Sequence, residues 1–249
     1  MSERAREDQR LTRRIEALFE SHRARYGSPR LHLSLRSEGI RVGGKRVARL
    51  MRDAGLTARC SRIYRRSPGT TRFFERHQNL RVGGEPPTAP DQLWVADLTY
   101  LRVGAYWRYL AVVLDGYSRR VLGWSLGERK TAELTREALR HALRHRRPAP
   151  GLIFHTDRGT EYGAHLLQTE LRRHGIRSSM NRPGRCTDNA HVESFFHTLK
   201  AEVIHGVRFA SVRTLRGVPN QYLGRYYNHR RMHSALGYCS PAEYEALPA

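Results

Sequence analysis

A chain of 249 residues with 45 Lys and Arg against 23 Asp and Glu has a formal net charge of +22, which points to a polyanionic partner, because neutralising phosphates releases condensed counterions. Its three cysteines, Cys60, Cys186 and Cys239, are scattered, so neither a zinc cage nor a disulfide framework is implied. The opening MSERAREDQRLTRRIEALFE lacks the apolar core of a signal peptide, and no stretch approaches the roughly eighteen apolar residues of a membrane span; a cytoplasmic, nucleoid-associated protein with no membrane partner is expected.

The positive charge is denser at the start: residues 1–90 hold 21 Lys and Arg against nine acids, and 91–249 hold 24 against 14. Within the first stretch Leu11, Ile15, Leu18 and Phe19 recur at helical spacing. Ser28-Pro29 supplies an N-cap and a first-turn proline for a second helix running to about residue 38. Gly43-Gly44 makes a turn, and a third helix follows with Val47, Leu50 and Met51 inward and Lys45, Arg46, Arg49 and Arg52 outward. Three short helices with a basic last one fit a helix-turn-helix DNA-binding domain over residues 1–56. A small bundle with a merely solvated Arg face is the plainer alternative, and the charge of the whole chain favours nucleic acid. Residues 57–90, with Arg62, Arg65 and Arg66 in a poorly periodic stretch ending in a proline-rich turn, predict a basic linker ordered on DNA.

From residue 91 the pattern is strand-like. Three β-prone runs at 92–101, 106–114 and 120–126 are separated by turn residues and predict an antiparallel meander. A helix at 131–145, a strand at 152–155, a helix at 161–174, a strand at 176–180 and a helix after Pro183-Gly184 follow. This order predicts an α/β domain over 91–249, a ribonuclease-H-like mixed five-stranded sheet flanked by helices and ending in a helical tail. Trp94, Trp107 and Trp124 lie on the strands and are expected in the core.

Two aspartates stand out on this frame. Asp97 falls mid-strand in Trp94-Val95-Ala96-Asp97-Leu98, where a carboxylate costs several kcal/mol to bury unless it is paired or binds a metal. Asp157 follows the strand at 152–155, at the carboxyl end where open α/β sheets place ligands, although beside Gly159 it also suits an ordinary turn. On the next helix Val192, Phe195, Phe196, Leu199 and Val203 form an apolar stripe, and Asn189, Glu193, His197 and Lys200 share the adjoining face. A solvated Glu193 is the plain reading for an isolated helix. His155, at the strand end, is either a partner to the acids or a packed histidine. Asp157 and Glu193 are separated by 35 residues, and Lys200 stands seven after the glutamate.

The combination of Asp97 with HTDRGTEY at 155–162 and NRPGRCTDNAHVESFF at 181–196 resembles the DDE integrase core of bacterial insertion-sequence transposases, in the retroviral-integrase superfamily. Within these it is most similar to the OrfB product of the IS-three group, to which YGSPR at 26–30, YNHRRMHSALGY at 227–238 and SPAEY at 240–244 also correspond. The resemblance implies a transposase that catalyses metal-dependent DNA cleavage and strand transfer at element ends. It implies Asp97 as a bridging ligand and Asp157 and Glu193 as flanking ligands of magnesium, with manganese as the substitute; hard cations take hard oxygen ligands, and paired ions suit in-line phosphoryl displacement. Lys200 and Asn189 are implied as contacts to terminal DNA, while the run containing Arg230 and Arg231 either holds DNA or closes the fold. The implied partners are the terminal inverted repeats, target DNA, further copies of the chain on DNA, and an upstream-frame OrfA protein or fusion that supplies the leucine zipper missing from this sequence.

Overall fold

The computed structural model describes residues 2–59, 78–182, 189–204, 215, 217 and 219–248. The chain divides into two units, one formed by residues 1–63 with 198–205, the other by 64–197 with 206–249.

The first unit is helical: α1 (Glu3–Ser21), α2 (Ser28–Ser37) and α3 (Gly44–Asp53). The Ser2 hydroxyl accepts the Ala5 N–H to cap α1, and Pro29 opens α2. Leu11, Ile15, Leu18 and Phe19 of α1 meet Leu31 and Leu35 of α2 and Val47, Leu50 and Met51 of α3 in the buried set. On α3, Lys45 and Arg52 are exposed as expected. Arg46 and Arg49 are not simply presented to solvent: Arg46 donates to Glu7 and Asp8 at 2.7 Å each, and Arg49 to Asp8 at 2.5 Å and Asp53 at 3.1 Å. Acids on α1 lie across from these two arginines, and periodicity within α3 says nothing of them. Arg62, Arg65 and Arg66 lie outside the described residues. Lys200–Ile204 forms a π-helical turn in this unit, where Glu202 meets Arg30 at 3.7 Å and its carbonyl accepts from Arg25.

The second unit is built on one mixed five-stranded sheet of order β3-β2-β1-β4-β5, flanked by helices. β1 (Leu93–Val103), β2 (Tyr106–Asp115) and β3 (Val121–Gly127) are antiparallel, and β4 (Ile153–Thr156) and β5 (Arg177–Met180) add in parallel beside β1. α4 (Ala132–His145) covers one face, burying Leu139 and Ala142 against Trp94, Ala96, Ala111, Val113, Leu122 and Phe154. Its approach demands glycine at 123, where a Cβ would stand 2.3 Å from the Ala138 carbonyl oxygen. The expected single helix over 161–174 is two, α5 (Thr160–Gly163) and α6 (His165–Arg173), since Ala164 takes an extended backbone and the Gln168 amide bonds the Tyr162 carbonyl at 2.8 Å. α7 (Ala190–Leu199), a π-helical segment (Asn220–Tyr227) and α8 (Pro241–Glu245) complete the described elements together with a 3-10 turn (Ser234–Leu236).

Pairing is uneven along the central hairpin. β4 matches β1 only over Leu93–Ala96, and β3 matches β2 only over Tyr109–Leu114, so the end of the β1–β2 hairpin runs on as a two-stranded ribbon. Trp94 is fully buried and Trp124 partly so, edge-on to His141. Trp107, expected in the core, is 48% exposed. It lies on the ribbon past the neighbouring strands, and strand periodicity does not reveal where the sheet's cover ends.

Candidate active site

The end of β4 determines the layout. Its pairing with β1 stops at Ala96 and Thr156, so Asp97 and Asp157 each stand one residue beyond the last matched pair. The Asp157 side chain accepts the Gly159 N–H at 3.0 Å, closing a tight turn. Glu193 projects from the first turns of α7, exposed. Asn189, just before α7, donates its side-chain amide to the Ala96 carbonyl at 3.3 Å and thereby ties the helix start to the strand residue preceding Asp97.

The electrostatics of this ledge are unfavourable as the charges stand. Asp97 lies deep among protein atoms with only a partial opening to solvent. Burial first, then the charge of Asp157, and more weakly that of Glu193, push its carboxyl up to about 8, against the opposing Leu98 N–H and the Lys130 ammonium. Burial also raises Asp157, with Glu161 adding to the push and the Gly159 N–H and Lys130 working against it. Partial desolvation raises Glu193. Lys130, immediately before α4, holds Glu161 at 3.0 Å and is the cation nearest these acids in effect.

Two more groups face this ledge. The Tyr162 hydroxyl is fully buried without a hydrogen-bond partner among the described residues, and burial together with Asp97 and Asp157 lifts its pKa well above the usual phenol value. The buried Asn189 Oδ1 also lacks a partner among the described residues. Orphaned polar atoms beside crowded carboxylates suit a hydrated divalent cation, for which the donor set is all oxygen. Among the described residues, no three acid, imidazole or thiol side chains close on one point tightly enough to hold an ion as they stand. Among the acids, Asp157 acts most strongly on Asp97, and Glu193 is the exposed member of the trio.

Other candidates are placed differently. Asn189 is 2% exposed and bonded to β1, which corrects its reading as a DNA contact: a short amide just ahead of a helix reached back to backbone instead of outward. Lys200 opens the π-helical turn and falls in the first unit, so the α-helical count that set it on the face of Glu193 is interrupted there. Arg230 is exposed, whereas Arg231 is 5% exposed, 5.7 Å over the Tyr227 ring and 3.2 Å from His233. Beside it Asn228 pairs with both backbone groups of Val121 at 2.9 Å, clamping the tail to β3. That run closes the fold, and Arg231 as a DNA contact is corrected for this reason. His155 is fully buried between Ser179 and Asn181, 2.8 Å from each, while the Leu80 N–H donates to Ser179. The chain joins β4, β5 and the segment before β1 directly beneath Asp157.

Sequence reasoning passed over Lys130, Glu161 and Tyr162. Glu161 packs its carboxylate against Gly159, 2.3 Å from where a Cβ would stand, a contact that nothing in the local sequence announces. Lys130 had only its place before Thr131, the N-cap of α4.

Comparison with known proteins follows the same division. Integrase core domain family models match residues 87–186 and 174–241, and an HTH-like domain model matches 6–64. The chain is 42% identical over 231 residues to Transposase InsF for insertion sequence IS3A of Escherichia coli (strain K12), covering 93% of this chain and 80% of that protein. It is 40% identical over 243 residues to the Insertion element IS600 uncharacterized 31 kDa protein of Shigella sonnei, covering 98% and 89%. Among solved structures, the HTLV-2 integrase catalytic core domain aligns with a TM-score of 0.46 at 18% identity, over 64% of this chain and 98% of that one.

Proposed function

The chain belongs to the IS3-type insertion-sequence transposases, and from that premise we propose that it is a polynucleotidyl transferase that cuts and joins DNA at element ends, with Asp97, Asp157 and Glu193 as the metal-holding catalytic acids. The observation that supports this reading is the emergence of Asp97 and Asp157 side by side one residue past the last matched pair of β1 and β4, where burial and Asp157 drive the Asp97 carboxyl up to about 8, so that keeping it ionised at neutral pH calls for a cation. Magnesium ions, or manganese in their place, held by these three carboxylates would supply Lewis-acid stabilisation of the attacking and leaving oxygens.

The protein's own groups set the stage for that chemistry. Asn189 fixes the start of the Glu193 helix against β1. His155, Ser179 and Asn181 hold β4 against β5, which fixes where Asp157 emerges. Lys130, steadied by Glu161, places an ammonium beside the acids, where it offsets their repulsion and meets an incoming phosphate. Tyr162 offers a buried hydroxyl donor to the same ledge.

In the proposed organisation residues 1–56 read the terminal inverted repeats, 57–90 link, and 91–249 catalyse cleavage and joining to target DNA. Lys45 and Arg52 on α3 are the exposed cations suited to DNA phosphates. Further copies of the chain and an upstream-frame OrfA partner assemble with it on DNA in the nucleoid; no described helix is long and apolar enough to cross a membrane. The test is labelled end DNA with magnesium, wild type beside Asp97→Asn and Glu193→Gln. Cleaved and joined product is expected from wild type and only background from either variant; equal product from all three would sink the assignment.

A further inference from the structure

The ribbon that continues past Asp97 exposes aromatic surface where a sheet normally hides it. Tyr100 is 57% exposed, Tyr106 69% and Trp107 48%. Cross-strand register puts Arg102 opposite Trp107 and Tyr100 opposite Tyr109 on one face of the ribbon. Tyr100 and Trp107 meet edge to face at 5.1 Å, and the Arg102 guanidinium lies 5.9 Å from the Trp107 ring centre. On the other face Leu101 and Val103 are buried, so the ribbon is anchored from behind while this cluster faces solvent. Arg108, which lies 5.8 Å over Tyr106, is fixed by Glu128 at 3.0 Å.

Large exposed aromatics flanked by guanidinium groups are costly as plain surface and mark a binding face. Rings interleaved with cations match nucleobases joined by phosphates, since every base has a π-face and every phosphate a charge. Along β1, Tyr100 follows Asp97 by three residues, about 10 Å at the strand rise, and this odd spacing sets the cluster past the end of β4 on the sheet face opposite the Asp97 side chain. The chain's net charge of +22 suits the same partner.

We propose that Tyr100, Arg102 and Trp107 form a stacking platform for unpaired DNA bases that pass from the carboxylate ledge over the ribbon edge to the opposite face of the sheet. This rests on the transposase reading above and deepens it, by assigning a place for bases freed from pairing near a cut. The ribbon edge, unpaired among the described residues, also invites pairing with a second copy of the chain; the aromatic and guanidinium pairing favours DNA, and the test separates the two.

The test uses the full chain in metal-free buffer at fixed salt, so that no cleavage occurs. Tryptophan emission is followed during titration with an unlabelled single-stranded oligonucleotide and, separately, with its duplex. Trp94 is buried and Trp124 partly so, which leaves Trp107 as the responsive fluorophore. Quenching by the single strand, weaker with duplex, is expected in wild type and lost in Trp107→Leu. By fluorescence anisotropy Trp107→Leu should bind the single strand about 5- to 150-fold more weakly, the usual range for losing one stacked base. Trp107→Phe should recover most of that affinity, and Arg102→Gln should lose part of it. Unchanged single-strand affinity in both Trp107→Leu and Arg102→Gln would overturn the proposal. So would a Trp107→Leu variant whose only change is lost self-association in sedimentation. Because these readouts involve no catalysis, their failure is distinct from a failure of Asp97→Asn to abolish product.

Discussion

Charges in α3 and charges at the end of β4 are treated in opposite ways. On α3, Arg46 and Arg49 are each matched with acids across from them, Glu7 and Asp8 among them, and the pairing lowers Asp8 below the usual carboxylate range through its two guanidinium hydrogen bonds. On the ledge, Asp97 and Asp157 are buried with Glu193 at their open side; burial raises both, Asp157 adds to the push on Asp97, and Glu161 adds to that on Asp157. Matched exposed pairs contribute little and serve packing. Like charges held together against their own repulsion are a hallmark of functional sites.

The sharpest way to break that contrast is to neutralise one partner on each side. In metal-free protein, Asp97→Asn should raise Tm by several degrees at pH 8. The sign follows from linkage: the folded Asp97 binds its proton up to about 8, whereas the unfolded one releases it near the ordinary value of 3.8. Wild-type stability therefore falls as pH climbs from about 4 to about 8, and the advantage of Asp97→Asn should widen over that window and vanish below it. A constant difference across pH, measured by thermal melts, would contradict the assignment of strain to this carboxyl. Asp8→Asn should do the reverse and do less. Its folded carboxyl is lowered, so its contribution is present above the ordinary carboxylate range and is lost on acidification. The expected effect is a small drop in Tm at neutral pH that high salt erases.

Much of this was legible from residue order. The helices of the first unit, the five strands and α4 lie within a few residues of where periodicity and turn residues put them, since a buried face imposes its period directly on the sequence. Asp97 stood out as a carboxylate within an apolar strand, and Asp157 by its place at the carboxyl end of the next one. Lys130 and Glu161 were not, because an ion pair between two segments leaves no pattern in either one. Trp107 was misread as core and Asn189 as a DNA contact by one error in two directions, since local sequence says which face a side chain takes but not what covers that face. The pairing of Arg46 and Arg49 with α1 was hidden in the same way.

The central claim, that the carboxylates at the end of β4 are held together to bind divalent metal, is tested most directly by manganese binding. Electron paramagnetic resonance of free manganese, titrated with wild-type chain and with Asp97→Asn, reads occupancy without DNA or turnover. Wild type should deplete the free signal, and Asp97→Asn should leave it undiminished beyond nonspecific loss. Equal depletion by both proteins would contradict the account.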